Sequence, residues 1–157
     1  MVSIDLHNWG GLIFRLGLAL LAGGVIGWDR QKRHKAAGLR THMLVSLGSA
    51  LFVLVPIEVS GSVDSISRAI QGVATGVGFL GAGEILHRSR ADHHRTEVKG
   101  LTSAASVWVT AALGVTAGAG LWQLTILGAL FTLITLIVIK RLEQTAIVSR
   151  QDERDEE

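Results

Sequence analysis

Residues 72–83 read GVATGVGFLGAG, and five of these twelve residues are Gly within an otherwise apolar run. So much Gly would weaken a helix in water. Two structures could use it. One is a dinucleotide-binding turn of the form G-x-G-x-x-G. The other is a membrane helix, in which Gly lets neighbouring helices approach closely. The surrounding sequence decides between them.

The dinucleotide-binding turn is disfavoured by its context. Such a turn needs a buried strand before it, a helix after it and an acidic residue about 20 positions further on. Glu97 lies at a suitable distance, but residues 66–75, ISRAIQGVAT, lack the β-branched run of a buried strand. No alternation of strands and helices appears elsewhere in the sequence. We therefore interpret the stretch as a membrane helix.

The positions of the five Gly residues around this helix predict where it packs. At about 100° per residue, Gly72, Gly76 and Gly83 share one narrow sector, while Gly78 and Gly81 lie nearly opposite. A helix that is bare on two sides fits between other helices. We therefore predict that it lies at the centre of a membrane bundle, with all five Gly residues as packing positions.

The apolar residues of the whole chain predict an all-α fold. The 157 residues have the length of one domain, and 48% of them are hydrophobic. They form five long apolar runs, most of them near the ~20 residues that a spanning helix needs: 12–28, 43–57, 70–86, 101–119 and 121–139. We predict a polytopic bundle of five transmembrane helices within residues 1–142. Residues 143–157 are charged and predicted to form a disordered cytoplasmic tail.

The basic residues predict the orientation of this bundle. They fall in every second connection: Arg30, Lys32, Arg33, Lys35 and Arg40; then Arg88, Arg90, Arg95 and Lys99; then Lys140, Arg141, Arg150 and Arg154. The positive-inside rule then places the N-terminus outside and the C-terminus in the cytoplasm. The net charge of +2 is explained by this topology, so no nucleic-acid partner is expected. No cleavable signal peptide is expected, and the absence of Cys excludes disulfides and thiolate metal sites.

Six polar residues are predicted to gather near the cytoplasmic ends of helices one to four. They are Asp29, Arg40, His42, Glu84, Thr102 and Ser106. Asp29 and Glu84 could bind Mg²⁺, which keeps several waters and so needs only one or two carboxylates. The alternative is a structural salt-bridge cluster with Arg40, since ionic groups in membranes usually pair with one another.

Three further polar features each leave two interpretations open. Arg15 lies near the outer end of helix one and is expected to snorkel outward or to form a structural ion pair, without reaching Glu84. Thr102, Ser106 and Thr110 form a hydroxyl face that either bonds neighbouring helices or lines an ion path. Five His residues are expected on the cytoplasmic side, as solvated loop residues or as a proton sensor: His34, His42, His87, His93 and His94.

Four sequence blocks resemble a known family. They are GWDRQ at 27–31, AGLRTHMLVSLGSALF at 37–52, GVGFLGAG at 76–83 and KGLTSAASVWVTAALG at 99–114. Their order and content are similar to the signature blocks of the MgtC/SapB family of bacterial inner-membrane proteins, over about residues 18–122. The chain departs from that pattern at Glu84, where a small or aliphatic residue is expected. It also stops soon after helix five, so the resemblance supports no function that needs the soluble C-terminal domain of some members.

The resemblance implies a multi-pass protein of the bacterial cytoplasmic (inner) membrane that takes part in adaptation to low magnesium and acid, including virulence within host cells. One implied role is regulation of other membrane machinery, with the proton-driven ATP synthase among the partners proposed for the family. The other is transport of magnesium, with Asp29 and Glu84 as ion stations. We favour regulation, because five short helices with few buried charges make a thin pathway for a hydrated divalent ion.

The expected partners are the lipid bilayer and either further copies of the chain or another membrane protein. No cofactor is expected, apart from Mg²⁺ as a ligand or substrate. The sequence contains no pairing of nucleophile and base, no Walker lysine and no metal-hydrolase motif. We therefore do not expect an enzyme.

Overall fold

The computed structural model describes residues 9–59, 61–90 and 100–139, and all of its regular structure there is helical. The helices are α1 (Trp9–Lys32), α2 (Leu39–Val59), α3 (Val63–Arg90), α4 (Leu101–Gly118) and α5 (Trp122–Ile134), which continues as a π-helical turn (Thr135–Ile139). The predicted all-α fold with five helices is confirmed. His93, His94 and the tail predicted at 143–157 lie outside the described residues.

The apolar content of the helices identifies a membrane protein. Three of them, α1, α2 and α4, are long and apolar enough to cross a bilayer, and Trp122–Val138 is a shorter apolar helix. The longest helix, α3, has 28 residues and is less apolar, because polar side chains occupy its first three turns. The structure therefore supports three spans by length and composition, and the count of five stays a prediction.

The central helix of the bundle is α4. It packs against each of the other four helices, whereas α3 contacts only α2 and α4. The prediction that the Gly-rich third helix lies at the centre is therefore wrong. The number of Gly residues in a helix shows how closely a neighbour could approach it, but it does not show that a neighbour is present.

Close contacts between helix backbones occur at Gly residues of α1 and α4, and α2 is the partner each time. A Cβ at Gly23 would lie 2.5 Å from the carbonyl oxygen of His42, and one at Gly118 would lie 2.6 Å from that of Ala50. Gly114 packs still more closely against the backbone of Ser46. Only Gly permits such contacts, which is how membrane helices gain packing energy without a hydrophobic driving force.

The predicted packing role of the α3 glycines differs from what the structure contains. Of the five, only Gly81 lies against a neighbouring helix in the described chain, since a Cβ at this position would lie 3.4 Å from the Cβ of Ala104. The positions at which a Cβ would meet nothing within 4 Å are Gly72, Gly76, Gly78 and Gly83. These four residues do not pack within the described chain.

The contacts also fix the relative directions of the helices. Because Gly23 meets His42 while Gly27 meets Leu39, α1 and α2 are antiparallel. Because Gly114 meets Ser46 and Gly118 meets Ala50, α2 and α4 are parallel. The last turn of α1 and the first turns of α2 and α4 therefore lie at the same end of the bundle. We call it the polar end, for its buried residues Arg30, His42, Ser103 and Ser106.

Candidate functional site: a buried polar cluster

The polar end is organised around Arg30, which lies in the last turn of α1. Its residue is only 3% exposed, and its Nη2 donates a hydrogen bond of 2.8 Å to Oγ of Ser103 in α4. The local sequence explains why the Arg30 side chain points into the bundle. Gly23, Gly27 and Arg30 follow one another at helical spacing on one face of α1. Arg30 therefore lies on the face of α1 that packs against α2, and its guanidinium is buried.

His42, in the first turn of α2, is fully buried and bonded on both sides of its ring. Nδ1 lies 2.9 Å from the carbonyl oxygen of Gly38, and Nε2 lies 3.3 Å from Oγ of Ser106. A carbonyl oxygen only accepts, so Nδ1 carries the hydrogen, and Nε2 of the neutral ring accepts from the Ser106 hydroxyl. The ring thereby links the turn before α2 to α4.

The hydroxyl groups of α4 continue this network along the helix. Ser106 Oγ donates to the carbonyl oxygen of Ser103 at 2.7 Å, and Thr110 Oγ1 donates to that of Ser106 at 2.8 Å. The single hydrogen of the Ser106 hydroxyl can therefore go either to the carbonyl oxygen of Ser103 or to Nε2 of His42, and the Ser103 contact is the shorter one. Beyond Thr110 the polar face meets the tight contact between Gly114 and Ser46, so it ends inside the bundle.

The carboxylates of the site have different surroundings. Glu84 of α3 is half-buried, and its charge acts on His42 together with that of Arg30. Asp29, in the last turn of α1, accepts a 2.8 Å hydrogen bond through Oδ1 from Nε of Arg33, which directly follows the helix. Its second oxygen, Oδ2, is buried and has no hydrogen-bond partner in the described part of the chain.

The structure brings together only part of the predicted cluster. His42 and Ser106 are in contact, and Glu84 is within electrostatic range of His42. Arg40 and Thr102 are exposed, and Asp29 pairs with Arg33, so among the described residues these three do not join the buried cluster. Successive residues of a helix point about 100° apart, so the neighbour of a buried residue can lie on the surface.

Arg30 and Ser103 are the buried polar residues that the sequence analysis left out of the cluster. A usable signal existed for both. Arg30 continues the face of Gly23 and Gly27, and Ser103 continues the face of Ser106 and Thr110 at spacings of three and seven residues. The buried hydroxyl face of α4 is thus Ser103, Ser106 and Thr110, and the exposed Thr102 is not part of it.

The charge of the site limits its chemistry. Magnesium prefers oxygen ligands and octahedral geometry. Among the described residues no group of three His, Asp or Glu side chains is placed to hold a metal ion. The guanidinium of Arg30 is bonded within the polar end, and its positive charge repels cations. The arrangement is suited to joining the ends of α1, α2 and α4 more than to binding a divalent ion.

The other arginine of α1 marks the opposite end of the bundle. Arg15 Nη1 donates to the carbonyl oxygen of Gly118 at 3.4 Å, at the C-terminus of α4. A cation at a helix C-terminus is favourable because the last carbonyl groups carry partial negative charge. Arg15 is therefore far from Glu84 along the bundle, as the sequence analysis predicted.

Comparison with known proteins gives one consistent family. Residues 16–145 match the model of the MgtC family. The chain is 51% identical to protein SrpB of Synechococcus elongatus, over 98% of this chain and 88% of SrpB. It is 46% identical to YhiD of Escherichia coli K12, which is named as a proposed magnesium transporter, over 83% of this chain and 61% of YhiD.

Protein MgtC of Brucella abortus is 40% identical over 80% of this chain, which spans half of that relative's length. No solved structure matches the chain. The family match covers most of the sequence, including every residue of the buried polar cluster. The chain therefore belongs to the MgtC family.

Proposed function

We propose that this chain is a multi-pass protein of the bacterial inner membrane that regulates another membrane protein during magnesium limitation and acid stress. The observation that carries this proposal is the position of Arg30. A permanent positive charge, 3% exposed and bonded to Ser103, lies among the buried polar residues of the polar end. A pathway for Mg²⁺ requires the opposite charge at that place.

The packing beyond the cluster supports the same proposal. The polar face of α4 leads to Gly114 and Gly118, where α2 and α4 are in backbone contact. That contact leaves no room for a hydrated ion between these helices. A tightly packed bundle with an internally bonded polar end is a suitable scaffold for binding another protein.

Magnesium transport is the second candidate, and one observation favours it. The buried Oδ2 of Asp29 has no hydrogen-bond partner among the described residues, and a buried carboxylate oxygen without a donor is suited to a cation. The relative YhiD is also named for magnesium transport. In this second proposal Asp29 and Glu84 are the ion stations.

Reconstitution separates the two candidates. The purified protein would be placed in liposomes that contain a magnesium-sensitive dye, beside liposomes without protein and liposomes with a known magnesium channel. The regulatory proposal expects a magnesium influx no faster than in the empty liposomes. An influx that Asp29→Asn or Glu84→Gln abolishes, while Glu58→Gln at an exposed position of α2 leaves it unchanged, would establish transport and overturn the proposal.

The partner is tested in a second assay. The proton-driven ATP synthase comes first, because the family resemblance implies it. In inverted membrane vesicles we expect ATP-driven proton pumping to be slower when the protein is present than when its gene is deleted. Equal pumping in the two vesicle preparations would exclude this partner.

A further inference from the structure

The outward face of α3 differs chemically from those of the other helices. The others expose large apolar side chains midway along their length, as lipid requires: Ile13, Phe14, Leu21, Leu51, Phe52, Trp108, Leu127 and Leu130. On α3, exposed Ile70, Phe79 and Leu80 lie beside a line of polar and small exposed residues at helical spacing: Asp64, Arg68, Gln71, Thr75, Gly78 and Ala82. Gln71 and Thr75 lie within the apolar run 70–86, where polar side chains cost free energy in hydrocarbon unless other protein groups pair with them.

The polar groups on this face are self-complementary. Arg68 Nη2 and Asp64 Oδ2 form a salt bridge of 2.6 Å, with side chains that are 69% and 76% exposed. Gln71 Nε2 donates to Ser67 Oγ at 3.2 Å, which leaves a second N–H and the carbonyl oxygen of the amide for another partner. An identical face supplies the opposite charge to Asp64 and Arg68, and both a donor and an acceptor to Gln71.

The same helix carries a Gly pair without a neighbour. The sequence has three pairs of Gly four residues apart: Gly23 and Gly27, Gly72 and Gly76, and Gly114 and Gly118. The first and the third pair each receive the backbone of α2. The pair on α3 meets nothing within 4 Å in the described chain. At two of the three pairs, the fold thus uses two Gly residues four apart to let another helix pack closely.

A large exposed aromatic ring lies next to this Gly pair. Phe79 is 81% exposed and is three residues from Gly76 and four from Gly83. Gly72 and Gly76 also line a groove of about 600 Å³ between α2 and α3, whose other walls include Leu44 and Phe52. One face therefore presents both a projecting side chain and a hollow, the pairing that knobs-into-holes packing uses.

We propose that α3 is the self-association helix of this protein. Two copies with the same membrane orientation pack α3 against α3 around a two-fold axis parallel to the helices. Phe79 of each copy packs over Gly76 of the other copy, beside the groove. Asp64 and Arg68 pair between copies near the start of the helix, and the two Gln71 amides bond to each other. This interface is isologous, so every group on it meets its own complement.

The absence of Cys from the chain makes cross-linking a direct test. Thr75→Cys and Ala82→Cys would each be introduced singly, and native membranes would be oxidised. We expect disulfide-linked dimers from both variants and only background from Leu127→Cys, an exposed control on α5. Equal dimer yields from all three variants would overturn the proposal, and so would a disulfide to a different protein.

The strength of association is the second readout. In lipid vesicles at low protein density, Phe79→Ala is expected to lower the dimer association constant by about tenfold or more. Phe131→Ala, which removes a 62% exposed ring from α5, should leave it unchanged. Thermal unfolding of each variant would establish that it is folded. A monomeric wild-type protein, or equal effects of the two substitutions, would contradict the interface.

Discussion

Arg30 and Ser103 are 73 residues apart in the sequence, and their side chains form a 2.8 Å hydrogen bond inside the bundle. The bond joins the last turn of α1 to the first turn of α4. Gly100, in a left-handed conformation at the start of α4, provides no side-chain cap. The hydroxyl of Ser103 therefore accepts a hydrogen bond from the buried guanidinium of Arg30, and its carbonyl oxygen accepts one from the hydroxyl of Ser106.

Removing this hydroxyl is expected to destabilise the protein. Ser103→Ala leaves the buried guanidinium with one acceptor fewer, and a hydrogen bond to a charged group contributes about 1.5–3 kcal/mol. The matched control is Thr102→Ala at the exposed neighbouring position, where the free energy of unfolding should change by less than about 0.5 kcal/mol. Denaturant unfolding in detergent micelles measures both. Equal effects would show that the bond contributes nothing specific.

The contact between α2 and α4 should tolerate no added methyl group. Gly114→Ala would press a Cβ into the backbone of Ser46, and both atoms belong to packed helices that cannot move cheaply. Overpacking of this kind costs about 1–3 kcal/mol or more. Gly17→Ala, where a Cβ would meet nothing within 4 Å, should instead be neutral or stabilise the protein by about 0.5–1 kcal/mol. The difference in melting temperature between the two variants measures this contrast.

The sequence predicts the helices better than it predicts their neighbours. Runs of apolar residues near membrane length place all five helices, because length and hydrophobicity are local properties. The central position of α4 depends on which faces meet. Gly114 and Gly118 have the same spacing as Gly72 and Gly76, yet of these two pairs only the first is packed against another helix in the described part of the chain. The spacing of two Gly residues alone does not show whether a helix of the same chain packs against them.

The polar site shows the same limit at the scale of single residues. His42 and Ser106 were found because buried polar residues in membrane helices are costly and stand out. Arg40 and Arg30 both lie at helix ends in basic segments, so composition does not separate the exposed one from the buried one. The position around the helix does separate the two arginines, since Arg30 lies on the same face of α1 as Gly23 and Gly27.

The orientation of the bundle is tested with reporter tags. The connection after α1 is basic and that after α2 contains no Lys or Arg, so a tag after Lys35 should be cytoplasmic and a tag after Asp64 should lie outside. Alkaline phosphatase and green fluorescent protein fusions report the two sides. Detection of both tags on one side would contradict the antiparallel pair of α1 and α2 as a transmembrane hairpin.

The turn between α4 and α5 is expected to require Gly at position 120. Its φ is 79°, in the left-handed region, where an L-residue with a Cβ costs about 1–2 kcal/mol. A Cβ there would also lie 3.3 Å from Nη2 of Arg15, which is flexible enough to move. We therefore expect Gly120→Ala to lower the free energy of unfolding by about 1–2 kcal/mol, with the cost arising mainly in the backbone.

A double-mutant cycle with Arg15→Ala separates backbone strain from side-chain crowding. If strain dominates, the effects of the two substitutions should add within about 0.5 kcal/mol, because removing the guanidinium does not relax φ at position 120. Gly48→Ala, at a helical position with nothing within 4 Å, controls for the general effect of the added methyl group. If Gly120→Ala destabilised the protein only when Arg15 is present, crowding would be the cause, and the left-handed turn would not be what Gly120 provides.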